Sequence, residues 1–80
     1  MTKLEIIRPL SKQEFSVVWL ELNTPEGNFV IQPKHAPMVL TLSPNKDVIF
    51  CLKNGKQQSI TVQYGVAEIT REKTTILLNE

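Results

Sequence analysis

The 80 residues, 9.1 kDa in all, provide for one small domain over residues 1–80 and exclude two separately cored ones. Nine Lys plus Arg stand against eight Asp plus Glu, interleaved along the chain, and a formal net charge of +1 gives no long-range attraction for nucleic acid or anionic lipid. The single cysteine, Cys51, excludes an intrachain disulfide, and the longest apolar run, Val48-Ile49-Phe50-Cys51-Leu52, is far too short to span a bilayer.

Val, Ile and Thr occur seven times each, mostly at a spacing of two, which predicts an all-β chain. In chain order the strands are expected at residues 3–7, 15–22, 28–31, 38–42, 46–52, 57–63, 66–69 and 74–78. Turn signals separate them: Arg8-Pro9, Thr24-Pro25-Glu26-Gly27, Gln32 to Pro37, Ser43-Pro44-Asn45, Lys53 to Lys56, Tyr64-Gly65 and Thr70 to Lys73. In the sixth, Ile60, Val62 and Tyr64 share one face and Ser59, Thr61 and Gln63 the other, the pattern of a half-buried strand. Asn54-Gly55 predicts a type I′ hairpin joining the fifth and sixth strands, since these residues best tolerate positive φ at both central positions. Short strands at this spacing, with no helical crossover between them, predict an antiparallel β-sandwich of about eight to ten strands.

Two segments break the alternation. Val17-Val18-Trp19-Leu20 and Val48 to Leu52 are apolar on both faces, whereas only one face of each strand in a two-layer domain meets the core. Three accounts are open: a loop covers the second face, the strands turn a corner, or a partner surface covers it. Cys51, within the second segment, reads as a small buried hydrophobe in a reducing compartment.

Catalytic chemistry finds little support. One Cys and one His cannot make a zinc site, a buried Cys51 is no partner for His35 in a nucleophile pair, and three scattered glycines build no phosphate cradle. No cofactor or metal is expected, and the chain reads as a non-enzyme.

The stretch Glu26-Gly27-Asn28-Phe29-Val30-Ile31-Gln32-Pro33-Lys34-His35-Ala36-Pro37-Met38-Val39-Leu40 resembles the ε subunit of rotary F-type ATP synthases, whose N-terminal β-sandwich has Glu-Gly followed by Pro-Gly-His-Ala-Pro. Tyr64-Gly65-Val66-Ala67-Glu68-Ile69 is similar to that family's Gly-Gly-Phe-Leu-Glu-Val strand, and Thr74-Thr75-Ile76-Leu77-Leu78 to its Val-Thr-Val-Leu-Ala end. Leu4-Glu5-Ile6-Ile7 and Phe15-Ser16 also have counterparts, so the resemblance covers essentially the whole chain. It departs at Val30, Lys34 and Tyr64, where the family usually has Gly, and at Asn28, where many members have a carboxylate. Val30 and Tyr64 replace residues that normally allow positive φ or close backbone approach. The chain stops at Asn79-Glu80, short of the family's pair of C-terminal helices that inhibit ATP hydrolysis and in some members bind ATP.

The resemblance implies a central-stalk subunit that links γ to the membrane c-ring for rotary coupling of ion transport to ATP synthesis, without the helical inhibitory element. It would sit peripherally at the cytoplasmic face of the inner membrane, touching the membrane only through the complex, with no nucleotide and no nucleic acid bound. Glu26, Gly27, Asn28 and Phe29 would face the c-ring, with Glu26 compensating for the charge missing at Asn28. His35 would lie near γ, or else pack its own loop between Pro33 and Pro37. The two-faced strands add candidates either for γ contact or for the surface on which the absent helices would fold: Val18, Leu20 and either Ile49 or Cys51. A free-standing β-sandwich adaptor for an unrelated protein is the other reading, and a small single-strand nucleic-acid binder is disfavoured by the charge balance.

Overall fold

A computed structural model describes residues 1–79. The described chain is all-β, with strands β1 (Thr2–Arg8), β2 (Ser11–Thr24), β3 (Gly27–Ile31), β4 (Met38–Thr41), β5 (Lys46–Leu52), β6 (Gln57–Val62), β7 (Gly65–Ile69) and β8 (Lys73–Leu78). They hydrogen-bond in the order β4-β7-β8-β1-β2-β5-β6, with β3 added to β2. The sheet is mixed rather than purely antiparallel, because β1 and β8 run parallel, Leu4 opposite Thr74 and Ile6 opposite Ile76. Parallel neighbours cannot be joined by a hairpin, and here the pair unites the two ends of the chain.

The sheet curls around a single core in which Leu4, Ile6, Val17, Leu20, Leu22, Ile31, Val48, Phe50, Val62, Ala67, Ile69 and Ile76 are all essentially inaccessible. These come from seven of the eight strands, so no strand pair could bury its apolar face alone. The half-buried Phe15 packs against the buried Phe50, with ring centroids 5.0 Å apart and planes tilted by 45°, a geometry that aromatic pairs favour.

The length of β2 shapes the curl. It pairs with β1 over Ser11–Val17 and with β3 over Leu20–Thr24, while β5 holds its opposite edge. Between Val17 and Trp19 the register with β5 slips, so Val18 is the extra residue of a β-bulge. Such a bulge bends its strand and re-aims the side chains beyond it. The apolar run Val17-Val18-Trp19-Leu20 follows directly: Val17 and Leu20, three positions apart, both point into the core. The strand thus turns a corner within that run, which carries Val17 and Leu20 inward and leaves Val18 exposed.

The turn at Asn54-Gly55 joins β5 and β6 as expected, but it is not type I′. Gly55 has a φ of 88°, whereas Asn54 is not among the residues with positive φ. Leu52 accepts a hydrogen bond from Gly55 N–H at 2.9 Å and donates its own N–H to Lys56 at 2.8 Å. The loop therefore has three residues, a tight turn closed by a left-handed glycine. Asn54 Oδ1 accepts from Lys56 N–H at 3.0 Å, which fixes the asparagine in its ordinary conformation.

A ladder of charges crosses the outer face of β2, β1 and β8. Lys73 and Lys12 reach Glu5 at 3.0 and 2.9 Å, and Lys12 and Lys3 reach Glu14 at 3.3 and 3.2 Å. The two lysines cover the Glu5 carboxylate to 8% exposure, and Thr75 donates its hydroxyl to it at 3.3 Å. Hydrogen bonding from Lys12, then from Lys73, pulls Glu5 down to about 2. A carboxylate depressed in the folded state stabilises the fold above its unfolded pKa, about 4.3, and loses that contribution as pH falls toward 2. Acid titration of stability by urea unfolding is expected to drop across that window, and the drop should shrink in Glu5→Gln.

Candidate interaction surfaces

The turn between β2 and β3 is built by two residues, Pro25 and Glu26, since Thr24 faces Gly27 in the register. Thr24 fixes it: its hydroxyl donates to the Gly27 carbonyl at 2.9 Å and accepts from Glu26 N–H at 3.1 Å. Gly27 has a φ of 134° with open space around its Cα, so conformation rather than crowding requires glycine there. Glu26 is exposed at the tip, and Phe29 turns inward and packs against the core.

Asn28 is exposed, but its amide is occupied within the strand pair. Nδ2 donates to Glu21 Oε1 at 2.7 Å and to Asn23 Oδ1 at 3.1 Å, while Asn23 donates in turn to the Asp47 carbonyl at 3.0 Å. A carboxylate at position 28 would meet the Glu21 carboxylate at that distance, so the amide fits this chain's neighbours. Glu26, at the tip of the turn, carries an exposed carboxylate beside it.

The loop bearing His35 connects β3 to β4. Lys34 N–H donates to the Arg71 carbonyl at 3.1 Å and His35 N–H to the Gln32 carbonyl at 3.2 Å, tying the loop to the β7–β8 turn and to itself. The half-buried His35 ring places Nδ1 2.8 Å from the Ala36 carbonyl, where Nδ1–H donates. The ring is thereby oriented by a carbonyl of its own loop.

Lys34 has a φ of 65°, left-handed for a residue with a Cβ. Of the three positions where glycine was expected by resemblance, this one needs it; Val30 and Tyr64 have ordinary φ. Lys34→Gly is expected to raise stability by about 0.5–1 kcal/mol, the relief of left-handed strain less the entropy cost of glycine. A rise in the urea midpoint at unchanged slope would show it.

The γ-contact candidates do not share one face. Leu20 is completely buried and must be removed from any surface, because the bulge at Val18 turns it into the core. Val18 is 39% exposed, Ile49 is half-buried and Cys51 is 8% exposed. Ile49 and Cys51 lie on the outer face of β5, since Val48 and Phe50 between and before them fill the core. The register places Cys51 beside Trp19, and Ile49 beside Glu21, which is flanked on its other side by Val30. Trp19 and Val30, 52% exposed, extend this apolar outer surface and were not among the expected contacts. The bulge hid Trp19: without it, Trp19 reads as an inward residue.

A second apolar surface lies on the opposite half of the sheet. Val66, Leu77 and Ile7 form a row across β7, β8 and β1, with Val66 and Leu77 38% and 48% exposed. Beside it Tyr64, Gly65, Val66, Leu77, Leu78 and Asn79 line a hollow of about 400 Å³. Among the described residues no group of His, Cys, Asp and Glu is placed to hold a metal ion.

The whole chain, residues 1–80, matches the family model described as the ATP synthase delta/epsilon chain, β-sandwich domain. The ATP synthase epsilon chain of Rhodospirillum rubrum is 39% identical over 56 residues, covering 69% of this chain and 40% of that protein. The epsilon chain of Xanthomonas euvesicatoria is 36% identical over 53 residues, covering 66% of this chain and 37% of that protein. The chain therefore spans about 40% of the length of the curated relatives it matches. In fold it is similar to a chain of the Euglena gracilis mitochondrial ATP synthase, TM-score 0.87 at 20% identity, over 96% of this chain and 49% of that one. A chain of the Tetrahymena thermophila mitochondrial ATP synthase central stalk and c-ring gives a TM-score of 0.80 at 16% identity, over 99% of this chain and 63% of that one.

Proposed function

The chain belongs to the ATP synthase delta/epsilon β-sandwich family, and from that premise we propose that it is a non-catalytic central-stalk subunit that joins γ to the c-ring and passes ring rotation to the catalytic head. The curled sheet acts as the family's β-sandwich, a rigid body through which torque is transmitted without a bond being made or broken.

The observation that supports this most is the presence of two unlike surfaces on one core. At one end the exposed Glu26 stands on a turn pinned by Thr24, suited to polar, basic loops of a ring. On the outer face of β2, β3 and β5, Val18, Trp19, Val30 and Ile49 offer the apolar surface that a permanent partner such as γ would cover. In this reading His35, whose ring is oriented by the Ala36 carbonyl, adds a polar contact to γ. The protein reaches the membrane through the ring and acts on the cytoplasmic side, with no nucleotide of its own.

Co-expression with γ and the c-ring tests the proposal. A stable complex containing all three is expected after purification in detergent. Recovery of the folded chain without either partner, or in complex with an unrelated protein instead, would favour the adaptor reading and overturn this one.

A further inference from the structure

We propose that the β5–β6 turn is a site of spontaneous covalent modification, the deamidation of Asn54, and that the folded hairpin restrains it. Asn54 is followed by Gly55 and both are exposed. The reaction needs the backbone nitrogen of the following residue to approach the asparagine side chain, and glycine, without a Cβ, hinders that approach least.

The atoms balance with water alone. Gly55 N gives its proton to solvent base and attacks Asn54 Cγ, forming the N–Cγ bond of a five-membered succinimide. Ammonia leaves from Cγ and takes up a proton. Water then opens the ring, at Cγ to give aspartate, or at the backbone carbonyl to give isoaspartate.

The structure sets two bonds against the first step. Gly55 N–H is donated to the Leu52 carbonyl at 2.9 Å, and Asn54 Oδ1 accepts from Lys56 N–H at 3.0 Å. The nucleophile is thereby occupied and the amide is held toward Lys56. Ring closure therefore proceeds from a turn that has opened, and its rate reports how often the end of the β5–β6 hairpin comes apart.

The product alters the molecule in two ways. One new carboxylate takes the formal net charge from +1 to zero, so ion exchange resolves it. Isoaspartate inserts an additional backbone carbon into a three-residue loop, which displaces the Leu52 to Lys56 hydrogen bond that starts the β5–β6 ladder.

The test incubates the full chain at mildly alkaline pH, folded in buffer and unfolded in urea, with peptide mapping and an isoaspartate-specific assay over time. In the unfolded chain conversion is expected several-fold faster at Asn54 than at Asn23, Asn28 or Asn45. In the folded chain conversion at Asn54 is expected to be several-fold slower than in urea, and Asn54→Gln to remove the charge-shifted species. Conversion at Asn54 no faster than at the other asparagines in urea, or equally fast in folded and unfolded chains, would overturn the proposal.

Discussion

Leu20→Ala is expected to cost about 2–5 kcal/mol of folding stability, the range for emptying a fully buried leucine site that can only partly collapse. Val18→Ala, two residues away and 39% exposed, is expected to change stability by about 0.5 kcal/mol or less. The contrast separates core from surface within a single apolar run. For a domain of this size a loss at the upper end of that range removes much of the whole, since small domains hold about 5–15 kcal/mol. Equilibrium urea unfolding of both variants measures it. If Val18→Ala were the more damaging, the bulge that turns Leu20 inward would be misplaced.

Gly65→Val should strongly disrupt the β7–β8 pairing. A Cβ at Gly65 would stand 2.8 Å from Leu78 Cδ2, 3.1 Å from the Leu77 carbonyl oxygen and 3.2 Å from Val62 Cγ1. The leucine tip can swing away, but the carbonyl belongs to β8, which pairs with β7 at Gly65–Leu78. Alanine is expected to cost about 1–3 kcal/mol and valine about 3 kcal/mol or more, the latter forcing β7 and β8 apart. Because β8 lies between β7 and β1 in the interior of the sheet, the damage would reach the pairing of the two chain ends. Amide exchange in β1 and β8 should rise together in Gly65→Ala, and a rise confined to β7 would argue against that coupling.

The sequence alone located all eight strands because their apolar residues repeat at two and their ends bear Pro, Asn and Gly. It missed the first four residues of β2, since Ser11-Lys12-Gln13-Glu14 carries no apolar residue. That segment is held as a strand by its pairing with β1 and by Lys12 and Glu14, which pair diagonally with Glu5 and Lys3 of β1. Hydropathy cannot reveal a partner that supplies charge rather than apolar area. Parallel pairing of β1 with β8 was equally hidden, because nothing local to either strand specifies a neighbour some seventy residues distant.

The candidate site was legible in part. Glu26 and Gly27 lie at the turn that Thr24-Pro25-Glu26-Gly27 signalled, and that turn needs its glycine. The occupation of Asn28 by Glu21 and Asn23 could not be foreseen, because it depends on the Asn23–Asn28 register across β2 and β3. Leu20 was assigned to the wrong face for a related reason: one inserted residue reverses the alternation, and no residue type marks a bulge at Val18.

Calorimetric binding to isolated γ, for the native chain and for Val18→Asp and Val30→Asp, decides whether this outer surface is the γ contact. Both substitutions place a charge on the exposed outer surface of β2 and β3 without touching the core, so near-ultraviolet circular dichroism should be unchanged. The account predicts at least a tenfold loss of affinity for each, about 1.4 kcal/mol. Native affinity in both folded variants would contradict it.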